Sequence, residues 1–537
     1  NPGENERLYR AVQAVSDFAI ELGINIPTGK DSLSMTQKYP DGKTVFSPGT
    51  VIISTVATCS DITKVISPNI KPLRGTRLIH LDFSRDAARL GGSSFAQMLN
   101  KIGNEPPTVS DSAYFVRAFA AVQQLIAAGE VLAGHDISSG GIITTLLELV
   151  FPNEQSGLTV HLDQFQERDP IKALFSENPG VILQIKNMDA VLEILDNHNL
   201  DYSHVADVTL DNTVVLSNLG ITLDIRDYRD TWFRSSYLLD QKQSGEKLAA
   251  DRFENYKKQP LHFRFGEGWK GSYKAFSLDP YRKKASPAKA AIIREKGVNG
   301  DREMAYGLWL AGFDVKDVHM TDLVSGKEDL RDVNMIVFVG GFSNSDVLGS
   351  AKGWAGAFLY NEKAKAALDN FYAREDTLSL GVCNGCQLMT ELGLVTPTHE
   401  QKPRMQYNDS HKFESAFVNV DIPENRTVML ASLSGQRLGV WIAHGEGKFQ
   451  FPKAKEDYHI SMYYSYKEYP ANPNGSDHAV AGIASDDGRH LAIMPHMERS
   501  LKPWNWPYYA EGREGDEITP WVEALVNARK WVEERLA

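Results

Sequence analysis

The sequence has little of several features that mark other classes of protein. Its 537 residues include only three cysteines, which excludes a disulfide-stabilised scaffold and favours a reducing, cytoplasmic location. Its apolar runs are strand-sized, well short of the roughly 20 residues of a membrane span. It has no block of Lys and Arg, and 57 basic against 69 acidic residues give a net charge of −12. We therefore expect neither nucleic acid nor a membrane as a partner.

What is present is typical of a large folded enzyme. Hydrophobic residues make up 42% and charged residues 23% of the chain, and its length predicts roughly three or four domains. The chain opens with Asn-Pro-Gly, without Met, and runs directly into helix-like sequence. We therefore expect a fragment of a longer protein.

The sequence pattern divides the chain into three stretches. Up to about Asp224, strand and helix signals mix, which predicts an α+β fold that includes a buried strand over 51–58. Residues 226–285 are polar, aromatic and locally Gly-rich, and we interpret them as a linker. From Lys289, strand-sized apolar segments alternate with helix faces. This alternation predicts a doubly wound, mostly parallel sheet that binds ligands at the carboxyl ends of its strands.

The strongest chemical signal is Cys383, which directly follows a predicted strand over 378–382 and precedes a predicted helix. A nucleophile on such a sharp turn needs small neighbours, and Gly381 and Gly385 supply them. The N-terminus of the following helix favours a thiolate. The N–H of Asn384 can donate to an oxyanion, and the end of another predicted strand, Gly-Gly-Phe-Ser at 340–343, can supply a second N–H.

The same cysteine has other interpretations. With Cys386 it forms a Cys-x-x-Cys pair, which also occurs in redox dithiols and in zinc sites. A structural zinc site needs four ligands, however, and the remaining cysteine, Cys59, is far away in the sequence. A buried, inert thiol is the ordinary fate of a cysteine, and the two flanking glycines make it less fitting here.

A cysteine nucleophile needs a base and a group that orients the base. Two His-x-Glu pairs follow predicted strands, and a spacing of two places both side chains on one side of an extended segment. The residues alone leave the choice between the pairs open, and a structural role is the ordinary alternative for each histidine. The pairs are His444 with Glu446 and His496 with Glu498.

The elbow segment 381–387, together with Pro-His-Met-Glu-Arg at 495–499, resembles the class I glutamine amidotransferases. The resemblance implies a catalytic triad of Cys383, His496 and Glu498. This chain has Met497 where the family often has proline. The resemblance also implies oxyanion and glutamine contacts from Gly341, Phe342, Asn384 and Gln387.

Longer segments resemble the phosphoribosylformylglycinamidine synthase family in its large, single-chain form, and specifically its C-terminal portion. In the glutaminase part the similar segments are 340–349 and 443–447, although Asn344 and Ser345 stand where the family has Tyr-Gly. In the synthetase part they are 29–35 and 135–141. The implied division is a partial synthetase domain over 1–85, a second α+β synthetase domain over 86–225, the linker 226–285 and a glutamine amidotransferase domain over 286–537.

The family resemblance implies ATP and Mg²⁺ as cofactors, with Asp136 as a metal ligand. The nucleotide and substrate contacts that it implies are Gly29, Lys30, Ser32 and Ser138. From the residues alone, the first loop could equally be an exposed turn and the second a capped helix start.

The implied function is the glutamine-dependent, ATP-driven conversion of formylglycinamide ribonucleotide to its amidine in purine biosynthesis. Its partners are glutamine, formylglycinamide ribonucleotide and the remaining N-terminal part of the same enzyme. Two other functions remain open on the residues alone. These are a different cysteine-dependent hydrolase and a regulatory module in which Cys383 is a redox-sensitive thiol.

Overall fold

The computed structural model describes residues 3–30, 35–510, 512–513 and 515–537. The chain forms two compact units, unit 1 (Asn1–Phe233) and unit 2 (Arg234–Ala537). Among the described residues, no helix combines the length and the apolar character that crossing a bilayer requires.

Unit 1 contains an exposed hairpin and a seven-stranded sheet. The sheet order is β4-β6-β3-β7-β5-β8-β9, and its pairs are antiparallel except β5 with β8. The strands are β1 (Thr36–Lys38), β2 (Thr44–Phe46), β3 (Arg77–Asp82), β4 (Val131–Asp136), β5 (Gly157–Val160), β6 (Gly180–Ile185), β7 (Ser203–Thr209), β8 (Thr213–Leu216) and β9 (Ile221–Asp224).

Helices cover both faces of this sheet, so side chains from alternate strand positions enter two separate cores. In β3, Leu78 packs into the core that includes Leu146, whereas Ile79 packs into the core that includes Leu125. The helices that begin in unit 1 are α1 (Glu4–Leu22), α2 (Ser94–Met98), α3 (Ser112–Ala128), α4 (Gly141–Val150), α5 (Pro170–Phe175), α6 (Met188–Asn197) and α7 (Ile225–Gln243), which runs into unit 2.

Three expectations for the first half of the chain are corrected. Residues 51–58 form no strand and are exposed, because no described strand pairs with this β-branched segment. A domain boundary after residue 85 does not fit, since β3 lies in the middle of the sheet and pairs with both β6 and β7. The predicted linker 226–285 is largely helical at its start, where it contains most of α7 and then α8 (Gly245–Asn255).

Unit 2 is built on a nine-stranded sheet in the order β11-β10-β12-β13-β20-β19-β18-β15-β16, beside a small β14–β17 pair. The strands are β10 (Lys289–Arg294), β11 (Asp314–His319), β12 (Met335–Phe338), β13 (Leu378–Val382), β14 (Arg404–Gln406), β15 (Glu414–Asp421), β16 (Arg437–His444), β17 (Lys448–Gln450), β18 (His459–Tyr464), β19 (Val480–Ala484) and β20 (His490–Ile493). The helices are α9 (Asp301–Ala311), α10 (Met320–Ser325), α11 (Lys352–Leu359), α12 (Glu362–Ala373), α13 (Asn384–Leu392) and α14 (Trp521–Leu536).

The predicted fold class is confirmed. The first five strands of the sheet, β11 to β20, are parallel, as the alternation of strands and helices predicts. Every residue of β12 and β13 is buried, as expected for a parallel sheet covered on both faces. The remaining four strands extend the sheet in antiparallel fashion, which the sequence did not predict. Because β13 pairs with β20, the residues that follow these two strands meet at one edge of the sheet.

Candidate active site

Cys383 lies at the turn between β13 and α13, as predicted. Its backbone has φ 52°, a left-handed conformation that costs a non-glycine residue of order 1–3 kcal/mol. The turn leaves no room for side chains on either side. A Cβ at Gly381 would lie 2.5 Å from the Gly385 carbonyl oxygen, and one at Gly385 would overlap the Phe338 carbonyl. Cys383 is only 4% exposed, so the elbow holds it in a tightly packed environment.

His496 and Glu498 follow β20 and lie beside this turn. Nδ1 of His496 is 2.7 Å from Oε1 of Glu498, and each side chain is 2% exposed. Within the described chain, the buried Nε2 of His496 makes no hydrogen bond. A Cβ at Gly340 would lie 2.7 Å from Cε1 of His496 and 3.4 Å from Cβ of Cys383. The imidazole and the cysteine therefore border the same small gap, which glycine keeps open.

The electrostatics of His496 suit a proton donor. Burial by itself lowers the pKa of an imidazole, because it disfavours the charged form. Here the negative charges of Glu498 and of a Cys383 thiolate outweigh burial and raise the pKa of His496 to about 10. The geometry thus favours an imidazolium held between a carboxylate and the thiol.

The other His-x-Glu pair has a different environment. Nε2 of His444 is 3.0 Å from the side-chain amide nitrogen of Asn474, which acts as the donor to it. Burial and the neighbouring His496 lower the pKa of His444 to about 3, so this ring is neutral. The carboxylate of Glu446 accepts the Ser350 N–H at 3.2 Å. Within the described part of the chain, Nδ1 of His444 makes no hydrogen bond, so no described carboxylate orients this ring as a base.

Two of the three backbone donors considered for an oxyanion are available. The Phe342 N–H already donates to the Gly297 carbonyl at 2.9 Å, so this candidate is occupied. Among the described residues, no backbone carbonyl accepts the N–H of Gly341 or of Asn384. Gly341 has φ 119°, and a Cβ there would lie 2.6 Å from Cα of Val298, so only glycine fits this approach.

The side chains of Asn384 and Gln387 connect the elbow to two neighbouring loops. Oδ1 of Asn384 accepts the Ser343 N–H at 3.3 Å, and its amide donates to Oε1 of Gln387 at 2.9 Å. The Gln387 amide in turn donates to the Glu446 carbonyl. Both side chains are at most 4% exposed. They hold the site together, and their polar atoms are engaged within the chain rather than directed to an open pocket.

Cys386 lies on the buried side of α13. It is 0% exposed, and burial raises the pKa of its thiol well above the ordinary value. Both Cys383 and Cys386 are free thiols. Within the described part of the chain, no metal-ligating cluster includes either of them.

Sequence reasoning missed two residues of this region. Asn474, which fixes His444, lies in a loop thirty residues away in sequence, and no local pattern marks it. Asp346 has a left-handed backbone at φ 50°. Burial and the nearby Glu446 carboxylate raise the pKa of its carboxyl group. The segment around Asp346 is visible as a motif, but the motif alone gives no role to this side chain.

The upstream candidates lie in two loops of unit 1. Asp136 ends β4 with its side chain 75% exposed, and its Oδ1 is 3.2 Å from Nδ1 of His135. Ser138 is exposed shortly before α4. Gly29 and Lys30 lie in an exposed loop after α1, where a Cβ at Gly29 would meet no atom within 4 Å. Ser32 lies outside the described residues.

Three family models match successive parts of the chain. Residues 287–532 match the CobB/CobQ-like glutamine amidotransferase domain, which is the class that the sheet and the cysteine elbow of unit 2 define. Residues 74–217 match the C-terminal domain of AIR synthase related proteins, and residues 1–58 match the FGAR-AT PurM_N-like domain. A structure titled PurLQS from Thermotoga maritima is 24% identical and covers 47% of this chain and 100% of its own, with a TM-score of 0.35.

Curated relatives match almost the whole chain. The "Probable phosphoribosylformylglycinamidine synthase, chloroplastic/mitochondrial" of Arabidopsis thaliana is 40% identical over 99% of this chain and 39% of its own length. The phosphoribosylformylglycinamidine synthase of Homo sapiens is 36% identical over 99% of this chain and 42% of its own length. The chain belongs to the phosphoribosylformylglycinamidine synthase family, and it spans about two fifths of the length of these relatives.

Proposed function

We propose that unit 2 is a glutaminase that releases ammonia from glutamine through Cys383, His496 and Glu498. The observation that carries this proposal is the buried 2.7 Å contact between His496 and Glu498 beside the strained cysteine elbow. This arrangement has the parts of a nucleophile–base–orienting group unit. It is the reason to choose His496 over His444, whose ring accepts a hydrogen bond from an amide instead.

Each step of the reaction has a residue to perform it. The Cys383 thiolate attacks the amide carbon of glutamine, and the C–N bond breaks as imidazolium His496 gives its proton to the leaving nitrogen. Ammonia leaves and a thioester remains. Neutral His496 then takes a proton from water, the resulting hydroxide attacks the thioester, and glutamate and the thiolate are released. Glu498 holds the ring in place throughout, and its charge favours the protonated form.

The oxyanion of the tetrahedral intermediate needs preorganised donors. We assign them to the N–H groups of Asn384 and Gly341, because the Phe342 N–H is engaged by Gly297. The side chains of Asn384 and Gln387, by contrast, act indirectly, because they connect the elbow to the two neighbouring loops. Phe342 directly precedes Ser343, in the loop that the Asn384 side chain contacts. Its half-exposed ring lies near Phe413.

The test is covalent labelling by a diazoketone analogue of glutamine, followed by peptide mass spectrometry. We expect labelling at Cys383, protection by free glutamine, and no label at Cys386 or Cys59, which serve as internal controls. A matched pair of variants completes the test. Cys383→Ala should abolish glutamine hydrolysis and Cys386→Ala should retain much of it. Labelling without glutamine protection would instead indicate another cysteine hydrolase or a redox thiol.

For the whole protein we propose the reaction that the family resemblance implies. The ammonia made in unit 2 would be used, with ATP, to convert formylglycinamide ribonucleotide to its amidine in purine biosynthesis. The synthetase half would need the remaining part of the same enzyme in addition to unit 1. We propose a cytoplasmic location on the basis of the three reduced cysteines.

In unit 1 we propose that Asp136 contributes a carboxylate to Mg²⁺ and that Ser138, Gly29, Lys30 and Ser32 contact nucleotide or substrate. The exposed carboxylate of Asp136 suits a hard cation that prefers oxygen ligands, and Mg²⁺ would neutralise phosphate charge there. Calorimetry with Mg-ATP should show binding that Asp136→Asn weakens. Asp189→Asn, on α6, is the matched control and should leave it unchanged. Equal binding by both variants would remove Asp136 from the site.

A further inference from the structure

Unit 1 carries a cluster of two imidazoles and one carboxylate that includes none of the proposed nucleotide or Mg²⁺ contacts. Nε2 of His161 is 2.8 Å from one carboxylate oxygen of Asp207, and Nε2 of His204 is 3.0 Å from the other. The three potential ligand atoms all lie within 4.8 Å of one another. The side chains are 26%, 26% and 41% exposed in the order His161, His204 and Asp207, so an ion can reach them from solvent.

A β-bulge creates this convergence. In a regular strand, His204 and Asp207 would point to opposite faces, because they are three residues apart. The pairing of β7 with β3 shifts register here, since Leu78 is opposite Ala206 while Ile79 is opposite His204. Val205 and Ala206 are consequently both 0% exposed and belong to the same core. His204 and Asp207 lie together on the other face of the strand, here called the outer face. Bulges commonly re-aim side chains in this way.

The third residue comes from the neighbouring strand. His161 directly follows β5, and its N–H donates to the Val205 carbonyl at 2.9 Å, which continues the β5–β7 pairing by one residue. The alternation of β5, in which Leu158 and Val160 are buried, places His161 on the outer face beside Asp207. All three side chains are therefore held by paired backbone rather than by free loops.

The donor set indicates the class of ion. Two imidazole nitrogens and one carboxylate suit zinc and similar first-row transition metals, whereas Mg²⁺ and Ca²⁺ prefer oxygen ligands only. Zinc forms bonds of about 2.0–2.1 Å, so its ligand atoms need to be roughly 3 to 4 Å apart, and small side-chain rotations suffice here. Three protein ligands would leave a fourth position for water, which is typical of zinc sites that are not fully closed.

We propose that His161, His204 and Asp207 form a binding site for one divalent transition-metal ion of the zinc type. The ion replaces the two imidazole–carboxylate hydrogen bonds, and each ring then carries its proton on Nδ1. Bound there, the metal cross-links the end of β5 to the bulge of β7. It replaces the hydrogen bond between His161 and Asp207 as the side-chain link between these two paired segments.

Zinc binding is best measured in a Cys383→Ala background, because the thiol and imidazole of unit 2 could themselves take the metal. Equilibrium dialysis of the 537-residue chain with elemental analysis should give one zinc per chain at saturation. His161→Ala and His204→Ala should weaken that binding by more than about tenfold. His198→Ala is the matched control, because His198 lies in the same unit and contacts Gln124 instead. The control should bind like the parent.

Asp207→Asn keeps the shape of the side chain and removes its charge, so it decides the outcome even if an alanine variant unfolds. Cobalt substitution provides a second readout, since its visible absorption reports nitrogen ligation and low coordination number. Parent chain and control should show that spectrum, and Asp207→Asn should lose it. Zinc binding that all three variants retain, or that the control loses equally, would overturn the proposal. The cluster would then be a hydrogen-bonded trio only.

Discussion

The segments after β16 and after β20 carry the same pattern, His-x-Glu, and both histidines are at most 2% exposed. One ring contacts a carboxylate and has its pKa raised to about 10, whereas the other accepts a hydrogen bond from an amide and has its pKa lowered to about 3. Burial acts on both in the same direction, so the difference comes from their partners. A spacing motif identifies which residues can meet, and the tertiary neighbours decide what charge they carry.

The largest effect on turnover is expected when each histidine ring is removed in turn. His496→Ala should reduce the turnover of glutamine hydrolysis by about 10²–10⁴-fold, as expected for loss of a general acid–base. His444→Ala should reduce turnover far less, because its ring is neutral and accepts a hydrogen bond from the amide of Asn474. Steady-state ammonia release by the two variants measures this. A greater loss for His444→Ala, with an unchanged circular dichroism spectrum, would reverse the assignment.

A glycine lies beside each histidine, so the two environments can also be compared without removing either ring. Gly340→Ala introduces a Cβ 2.7 Å from the His496 ring, and a displacement of about 1 Å can cost roughly 10²-fold in rate. Gly445→Ala is the matched control beside His444, because its Cβ would meet no atom within 4 Å. The ratio of turnover between the two variants is the measurement. Equal rates would show that the gap at Gly340 is not tightly constrained.

The third test leaves turnover aside and concerns stability in acid. Because the pKa of His444 is lowered on folding, the unfolded state binds a proton between pH 6.5 and about 3 that the folded state does not bind. Its stabilising contribution is therefore present above pH 6.5 and is lost, by about 1.4 kcal/mol per pH unit, as the pH falls toward about 3. His444→Gln should flatten this acid dependence relative to the parent.

Urea unfolding followed by tryptophan fluorescence measures this, since every tryptophan except Trp232 lies in unit 2. The raised pKa of His496 acts in the opposite sense. Its contribution is present below pH 6.5 and is lost as the pH rises through about 10. His444→Gln should therefore leave the alkaline limb unchanged. Parallel acid limbs for the parent and His444→Gln would mean that His444 is not held neutral.

The sequence was informative where local rules act. The strand that leads to Cys383 was predicted as β13 has it, because a short apolar run ended by a glycine-flanked elbow has few alternatives. Prediction from the sequence failed where the formation of a strand depends on a partner strand. Residues 51–58 have strand composition but no described partner, and the four antiparallel strands of unit 2 gave no alternating signal that was recognised.

The same limit applied to the candidate sites. The residues alone could not choose between the two His-x-Glu pairs, because the choice depends on Asn474 and Ser350 near one pair and on Cys383 near the other. The family resemblance implied an oxyanion contact from Phe342, whose N–H is taken by the carbonyl of Gly297. In unit 1, the bulge at Val205 could not be foreseen, so His204 and Asp207 were not grouped.

The parallel pairing of β13 with β20 has a consequence for how the protein matures. Cys383 and His496, the proposed nucleophile and base, are far apart in the chain and become neighbours only when β20 pairs with β13. Such long-range parallel contacts form slowly, because loop closure must precede them. We therefore expect that, early in folding, Cys383 is not yet in contact with the imidazole of His496. The thiol would gain its base only after β20 has paired with β13. This order would limit side reactions of the thiol in a nascent or misfolded chain.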